Sequence, residues 1–229
     1  MPDLKLMSAE VCPFAQRTLI LLAEKALAFE HLEIDLANKP DWFEDVSPYS
    51  KVPVLVHGDE RIYESAIINE YLNEAFPEPG FMPDRPADRA RARVWIDYDN
   101  VTFVPAFYKV LLETDADRRQ ALSDKITDGL LFLETQALAA RRQGPYWLGE
   151  DISLADIAIY PHMERLAVLE HYRGISLPPS CGRLREWIAT MQQRPSVMDT
   201  AHDDAYHIAA YAEYADNSAD GTTARDMRN

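Results

Sequence analysis

Cysteine is scarce in this chain: Cys12 and Cys181 are the only two in 229 residues. Two thiols cannot build a disulfide framework, so a stapled secreted scaffold is excluded and a reducing, cytoplasmic compartment is expected. Long apolar runs are missing as well. No stretch approaches the roughly 18 residues of a membrane span. Met1-Pro2-Asp3-Leu4-Lys5 lacks the pattern of a signal peptide. Positive charge is short: 23 Lys and Arg stand against 38 Asp and Glu, a net −15. The deficit runs through the whole chain, since residues 1–80 carry 6 basic against 15 acidic residues. Such a surface repels nucleic acid and anionic lipid, so neither is expected as a partner. An anionic small molecule would need cations and N–H groups gathered inside a pocket. No internal repeat is visible, and no metal is expected.

A hydrophobic content of 47% supports a packed core. Leu4–Ser8 reads as a strand and Pro13–Ala26 as a helix with Leu19, Leu22, Ala23 and Ala26 on one face. Phe29–Ile34 alternates apolar and polar residues, which predicts a second strand and completes a βαβ unit. A short helix is expected around Asn38–Phe43. Val52–Val56 and Arg61–Tyr63 read as a hairpin about His57-Gly58-Asp59-Glu60. The stretch 66–72 reads as a helix, with Ser65 placed to cap it.

Residues 77–86 hold four prolines and a glycine, the clearest linker in the chain. The boundaries expected are a first domain over 1–78, a linker over 79–86, a helical domain over 87–215 and a mobile tail over 216–229. Arg89–Glu113 is expected as one long helix that Pro105 bends or interrupts. Asp117–Arg142 carries Leu122, Ile126, Leu130 and Leu133 on one face, and Gly182–Gln193 is a further helix. Ser153-Leu154-Ala155-Asp156 resembles a capping box, a helix-starting rather than a catalytic pair.

One residue type in one place points to chemistry. Cys12 lies between a strand and a helix, and Pro13 suits the first helical turn. A cysteine at a helix N-terminus meets unpaired N–H groups and the positive dipole end, which favour thiolate, the nucleophilic form. A buried structural cysteine is the alternative. A Cys12–Cys181 bridge would silence the reactive thiol.

The order of elements resembles the glutathione transferase superfamily, and within it the omega class. The resemblance rests on Cys12-Pro13-Phe14-Ala15, Asn38-Lys39-Pro40-Asp41-Trp42-Phe43, Val52-Pro53-Val54-Leu55, Tyr63-Glu64-Ser65-Ala66-Ile67 and Ile152-Ser153-Leu154-Ala155-Asp156 continuing to Pro161 and Glu164-Arg165-Leu166. It implies an α/β thioredoxin-like N-terminal domain followed by an all-α domain, and glutathione as co-substrate. Cys12 would be the catalytic nucleophile or carry a mixed disulfide with glutathione. Phe14 would pack beside the thiol, and Lys39 would meet the glycine carboxylate. Val52 would offer backbone groups to the cysteinyl part, ahead of Pro53, which is cis in this family. Glu64 and Ser65 would hold the γ-glutamyl end.

Most members use a Ser or Tyr hydroxyl where Cys12 stands, and Ala15 leaves no resolving cysteine. The resemblance therefore implies a glutathione transferase with oxidoreductase activity: thioltransferase, dehydroascorbate reductase or reductive deglutathionylation of ketone–glutathione thioethers. An ordinary conjugating transferase and a non-enzymatic binding protein on the same fold are the rival readings. The acceptor, a small electrophile or disulfide, is expected between the domains, near Tyr108, Tyr160, His162, Arg165 and Tyr206. His162 and Tyr206 depart from tryptophans expected near their positions. Homodimers are the superfamily habit, so a homodimer is expected.

Overall fold

A computed structural model describes residues 3–141 and 143–228. The last expected helical residue at 142 and both chain ends lie outside them. The first region forms β1 (Leu4–Ser8), α1 (Pro13–Glu24), β2 (Glu30–Glu33), α2 (Phe43–Val46), β3 (Val54–His57), β4 (Glu60–Tyr63) and α3 (Ser65–Ala75). The sheet runs β2-β1-β3-β4, with β1 parallel to β2 and antiparallel to β3, and a β3–β4 hairpin. Side chains alternate between its faces. Leu4, Leu6 and Leu55 enter the large core shared with α1 and α3, whereas Met7 and Val54 pack with Ile34 and Phe43 in a second, smaller core. The short helix is α2, starting at Phe43 rather than Asn38, because Pro40 to Trp42 form the turn that leads into it.

The helix α1 is buried differently from the single stripe its pattern suggests. Ala15 through Thr18 and Ile20 through Leu22 are buried, while Ala23 and Ala26 are exposed. The reason is position: α1 packs against α3 on one side and against α7 (Leu154–Glu164) of the helical region on the other. A helix covered on several sides has no single apolar face to read.

Beyond the proline-rich segment, α4 (Pro86–Tyr98), a π-helical turn (Asp99–Phe103) and α5 (Val104–Leu112) form one continuous helical path. The N–H of Val104 reaches the carbonyl of Asp99, the wide spacing that defines the turn. Pro105 has no N–H to give and its ring crowds the preceding turn, so the path widens there instead of breaking. α6 (Ala116–Phe132) follows, capped by Asp115, and ends through a second π turn (Leu133–Ala137) and a 3₁₀ turn (Leu138–Ala140). The expected helix thus changes hydrogen-bond pattern after Phe132.

The capping box at α7 is formed. Asp156 accepts the N–H and hydroxyl of Ser153 at 2.9 and 2.7 Å, the Trp147 N–H at 2.7 Å and the Trp187 indole N–H at 2.8 Å. Four donors on one buried carboxylate bind three segments together, a folding role. α8 (Leu166–Arg173), α9 (Gly182–Gln192), α10 (Pro195–Met198), α11 (Asp204–Ala210) and α12 (Ala212–Ala215) complete the helical region.

The expectation of a mobile tail is corrected by α13 (Thr222–Arg228), which packs on α5. Ala219 and Ala224 are buried there with Leu112, and Lys51 pairs with Asp226 at 2.6 Å. The polar composition of 217–223 hid this. Two buried alanines and a tie to Lys51 on the first domain hold the segment.

Candidate active site

A cavity of about 330 Å³ opens between the first domain and the helices. Cys12, Phe14, Lys39, Val52, Pro53, Glu64 and Ser65 all line it. The chain therefore brings together every residue assigned to glutathione by resemblance.

Cys12 is the N-cap residue of α1, with Pro13 at the first helical position. It is half-buried, and its Sγ points toward the Val52 carbonyl at 3.7 Å. Burial pushes the thiol up, outweighing the N–H groups of Ala15 and Phe14 and the charges of Arg165 and Arg17, which all pull it down. The helix-end effect expected from the sequence is present, yet desolvation is larger. The Val52–Pro53 peptide is cis.

Ser65 is not the cap of α3. Glu64 is, with a φ of 69°, a backbone region that L-residues seldom occupy. Ser65 is the first helical residue, and its hydroxyl accepts from Arg17 Nη1 at 3.2 Å. Lys39 donates to the Ser50 carbonyl at 2.6 Å and to the Thr222 hydroxyl at 3.1 Å, which ties the cavity's rim to α13.

Behind Cys12 lies a buried cationic network that the sequence did not announce. Arg17, 1% exposed, donates to Asp99 Oδ2 at 2.5 Å, Asn100 Oδ1 at 2.8 Å and the Ala158 carbonyl at 2.7 Å. Its guanidinium also lies 4.9 Å from the centre of the Phe14 ring. The π turn before Pro105 is what presents Asp99 and Asn100 to it. Burial pushes the Asp99 carboxyl up to about 7, with Arg17 opposing.

Of the five residues expected on the acceptor side, only Tyr108 lines the cavity. Tyr160 is buried, with its hydroxyl on Glu164 at 3.4 Å and its ring near Trp187. His162 is fully buried, edge-on to Phe14 at 5.3 Å, and burial holds its imidazole well below the usual value. Arg165 is fully buried and donates to Gln16 Oε1 and the Pro161 carbonyl, both at 2.7 Å. Tyr206 stacks on His202 at 4.0 Å, off the cavity wall. These four are corrected from lining to supporting or peripheral positions: α7, which carries Tyr160 and His162, is buried along its length, Arg165 at its end touches the site through Gln16 and Tyr211, and Tyr206 lies on α11 away from the wall.

In their place the cavity takes Tyr211, Tyr214, Thr222 and Thr223. The signal for the first two was available in Tyr211-Ala212-Glu213-Tyr214, two aromatics three residues apart on a helical path. The threonines were hidden by the expectation of a mobile tail.

Two family models match: "Glutathione S-transferase, N-terminal domain" over residues 6–80 and "Glutathione S-transferase, C-terminal domain" over residues 116–190. Glutathione S-transferase omega-1 of Sus scrofa is 31% identical over 217 residues, 94% of this chain and 87% of that protein. The crystal structure of glutathione transferase Omega 3C from Trametes versicolor superposes with a TM-score of 0.83 at 30% identity, covering 95% of this chain and 92% of the other. A rice transferase solved in complex with glutathione superposes with a TM-score of 0.85 at 26% identity, covering 96% and 99%. Among the described residues no helix is long and apolar enough to cross a membrane. A thioredoxin-like sheet with a cavity-lining cysteine, a helical second region and relatives of this kind have one reading: the chain belongs to the glutathione S-transferase superfamily, is omega-class-like, and is a glutathione-dependent transferase.

Proposed function

We propose that this enzyme works as a thiol transferase or reductase through a single catalytic cysteine, Cys12. The observation that carries the reading is the thiol itself: a sulfur, not a hydroxyl, occupies the α1 cap on the cavity wall. Ala15, one helical turn on, supplies no second thiol, and Cys181 is fully buried in the helical region. A dithiol cycle has no partner here.

Glutathione would lie along the lining residues. Its γ-glutamyl carboxylate suits Ser65 and the first N–H groups of α3, and its ammonium suits Glu64. The Val52 backbone takes the cysteinyl part in the manner of an added strand. The glycine carboxylate suits Lys39, whose ammonium must then share itself between that carboxylate and Thr222. Phe14 packs beside the sulfur. Cys12, once it has lost its proton to solvent, attacks the glutathionyl sulfur of a disulfide substrate; the new sulfur–sulfur bond is the mixed disulfide, and the substrate's own S–S bond breaks to release its other sulfur as a thiolate, which takes a proton from solvent. A second glutathione attacks that disulfide and leaves as oxidised glutathione.

Conjugation is the second reading, favoured by one observation: burial pushes the Cys12 thiol up, which reduces the thiolate available before a ligand binds. The two are separated by assaying wild type and Cys12→Ala with a mixed disulfide and with an aryl halide. The first reading expects disulfide turnover to vanish in Cys12→Ala. Disulfide turnover that survives the substitution refutes it.

A further inference from the structure

The glutathione side of the cavity ends against the chain's own last helix. Residues 219–223 and Met227 line it there, beside Lys39, Ser50 and Lys51. Lys39 Nζ has the Ser50 carbonyl at 2.6 Å, the Ser50 hydroxyl at 3.3 Å and the Thr222 hydroxyl at 3.1 Å. An ammonium has three protons to donate, so these partners occupy it from both sides of the cavity's end.

Packing, more than charge, holds α13 in this place. Ala224 is fully buried and packs with Ala219 and Leu112. Lys51 and Asp226 pair at 2.6 Å, but both side chains reach solvent, so that pair adds little. Arg228 folds back on Asn217 and donates to its side-chain and main-chain oxygens, both at 2.9 Å. The segment is a fixed wall and not a strand of tail across an opening.

The charge at this spot suits one carboxylate. In a chain of net −15, Lys39 has Arg225 and Lys51 close enough for each to lower its ammonium, with Glu44 opposing and burial the larger cause. The Thr222 hydroxyl accepts from Lys39 and keeps its own proton to donate to an anion.

We propose that α13 is the end wall of the thiol groove and sets the length of the peptide thiol: a carboxylate on the third residue is admitted, and a peptide extended beyond it is excluded. This rests on glutathione lying along the cavity as proposed above. One more residue needs about 3.3–3.6 Å of extended chain. Lys39 Nζ and Thr222 Oγ1 are 3.1 Å apart, which leaves no room for it between them. An amide in place of the carboxylate is a different defect, since it keeps the length but brings no charge to Lys39. Specificity at this end therefore has two separable parts, charge read by Lys39 and length read by α13.

The test uses the full-length protein with hydroxyethyl disulfide and one peptide thiol at a time: glutathione, glutathione amide, or γ-glutamyl-cysteinyl-glycyl-glycine. Values of kcat/KM for each thiol are compared in wild type, Ala224→Glu and Thr222→Ala. Ala224→Glu forces a charge into the contact with Leu112 and so lifts α13, whereas Thr222→Ala only trims the wall. Wild type is expected to prefer glutathione over the tetrapeptide on the order of 100-fold, falling below about tenfold in Ala224→Glu and by about threefold in Thr222→Ala. The preference over the amide should be the same in wild type and Ala224→Glu, because Lys39 remains. A wild type that uses the tetrapeptide as well as glutathione overturns the end wall. So does a preference that Ala224→Glu leaves unchanged, or one that relaxes equally for the amide, which is general loosening. Where Ala224→Glu fails to fold, Thr222→Ala decides, and an unchanged tetrapeptide preference overturns the proposal. Failure of the underlying reading looks different: a wild type indifferent to the amide removes the carboxylate from Lys39, and disulfide turnover that survives Cys12→Ala removes thiol transfer. Either takes the end wall with it.

Discussion

The chain's two cysteines both cap helices, Cys12 at α1 and Cys181 at α9, and burial pushes both thiols up. They differ in what the helix end does with its N–H groups. At α1 the N–H groups of Phe14 and Ala15 act on the Cys12 sulfur. At α9 the N–H groups of Arg183 and Leu184 go to Glu134, at 3.3 and 2.9 Å. Nearby charge differs as well: Arg165 and Arg17 both pull the first thiol down, while at the second Glu134 pushes up more than Arg185 pulls down. Finally, Cys12 opens on the cavity and Cys181 is 0% exposed, its sulfur against the Leu130 carbonyl at 3.8 Å. A helix N-terminus alone does not make a cysteine reactive. Access, free N–H groups and nearby charge that is not outweighed by a carboxylate are needed together.

The largest contrast is in activity. Cys12→Ser is expected to lower mixed-disulfide turnover on the order of 1,000-fold, whereas Cys181→Ala stays within about twofold. Steady-state rates on hydroxyethyl disulfide with glutathione measure both, and comparable losses would erase the distinction between the two thiols.

Next in size is the cation behind Cys12. Asp99→Ala leaves Arg17 buried without its carboxylate, and breaking a buried pair costs about 3–5 kcal/mol. Urea unfolding should show the loss. A change below about 1 kcal/mol would mean that the π turn relaxes and Arg17 reaches solvent.

At the other helix end, Glu134→Ala orphans the N–H groups of α9 and should cost about 2 kcal/mol by the same measurement. It should also lower the Cys181 thiol's titration midpoint, since the nearby negative charge is gone. Alkylation that stays undetectable at Cys181 in this variant would assign its inertness to burial alone.

The smallest effect is a shift in pH dependence. Burial makes the Cys12 thiol ionise above its ordinary value, so its alkylation by iodoacetamide should rise with pH through that higher midpoint. Arg165→Gln removes a cation that favours the thiolate, so the midpoint should move further up. A downward move would show that Arg165 acts on Cys12 through packing and not charge.

How much of this was legible depended on how local each cause was. Leu4–Ser8 matches β1, and the hairpin, the capping box at Ser153 and Asp156 and the cysteine at the head of α1 stand where local patterns put them. Each follows from alternation, turn chemistry or a cap. The glutathione-side residues converge because loops at one end of a small sheet have few places to go. The acceptor side was read poorly for a different reason. Tyr160 and His162 share α7 and Arg165 follows at its end, and nothing in a run of apolar residues says that a helix is buried on all sides. Arg17 looks like a surface residue until the π turn of Asp99 meets it, a long-range event. Ser65 carries the composition of a cap, yet Glu64 takes that place because the chain turns there at positive φ. The segment after 216 is polar enough to read as tail, and only its two buried alanines and its ties to Lys39 and Lys51 show otherwise.

The claim that joins these observations is that Cys12, and not Cys181, exchanges glutathione. Incubating the native full-length protein with glutathione disulfide and mapping adducts by peptide mass spectrometry tests it directly. A glutathionyl adduct on Cys12 that is removed by reduced glutathione, with Cys181 unmodified, is the expected result. An adduct on Cys181, or an unmodified Cys12, would contradict it.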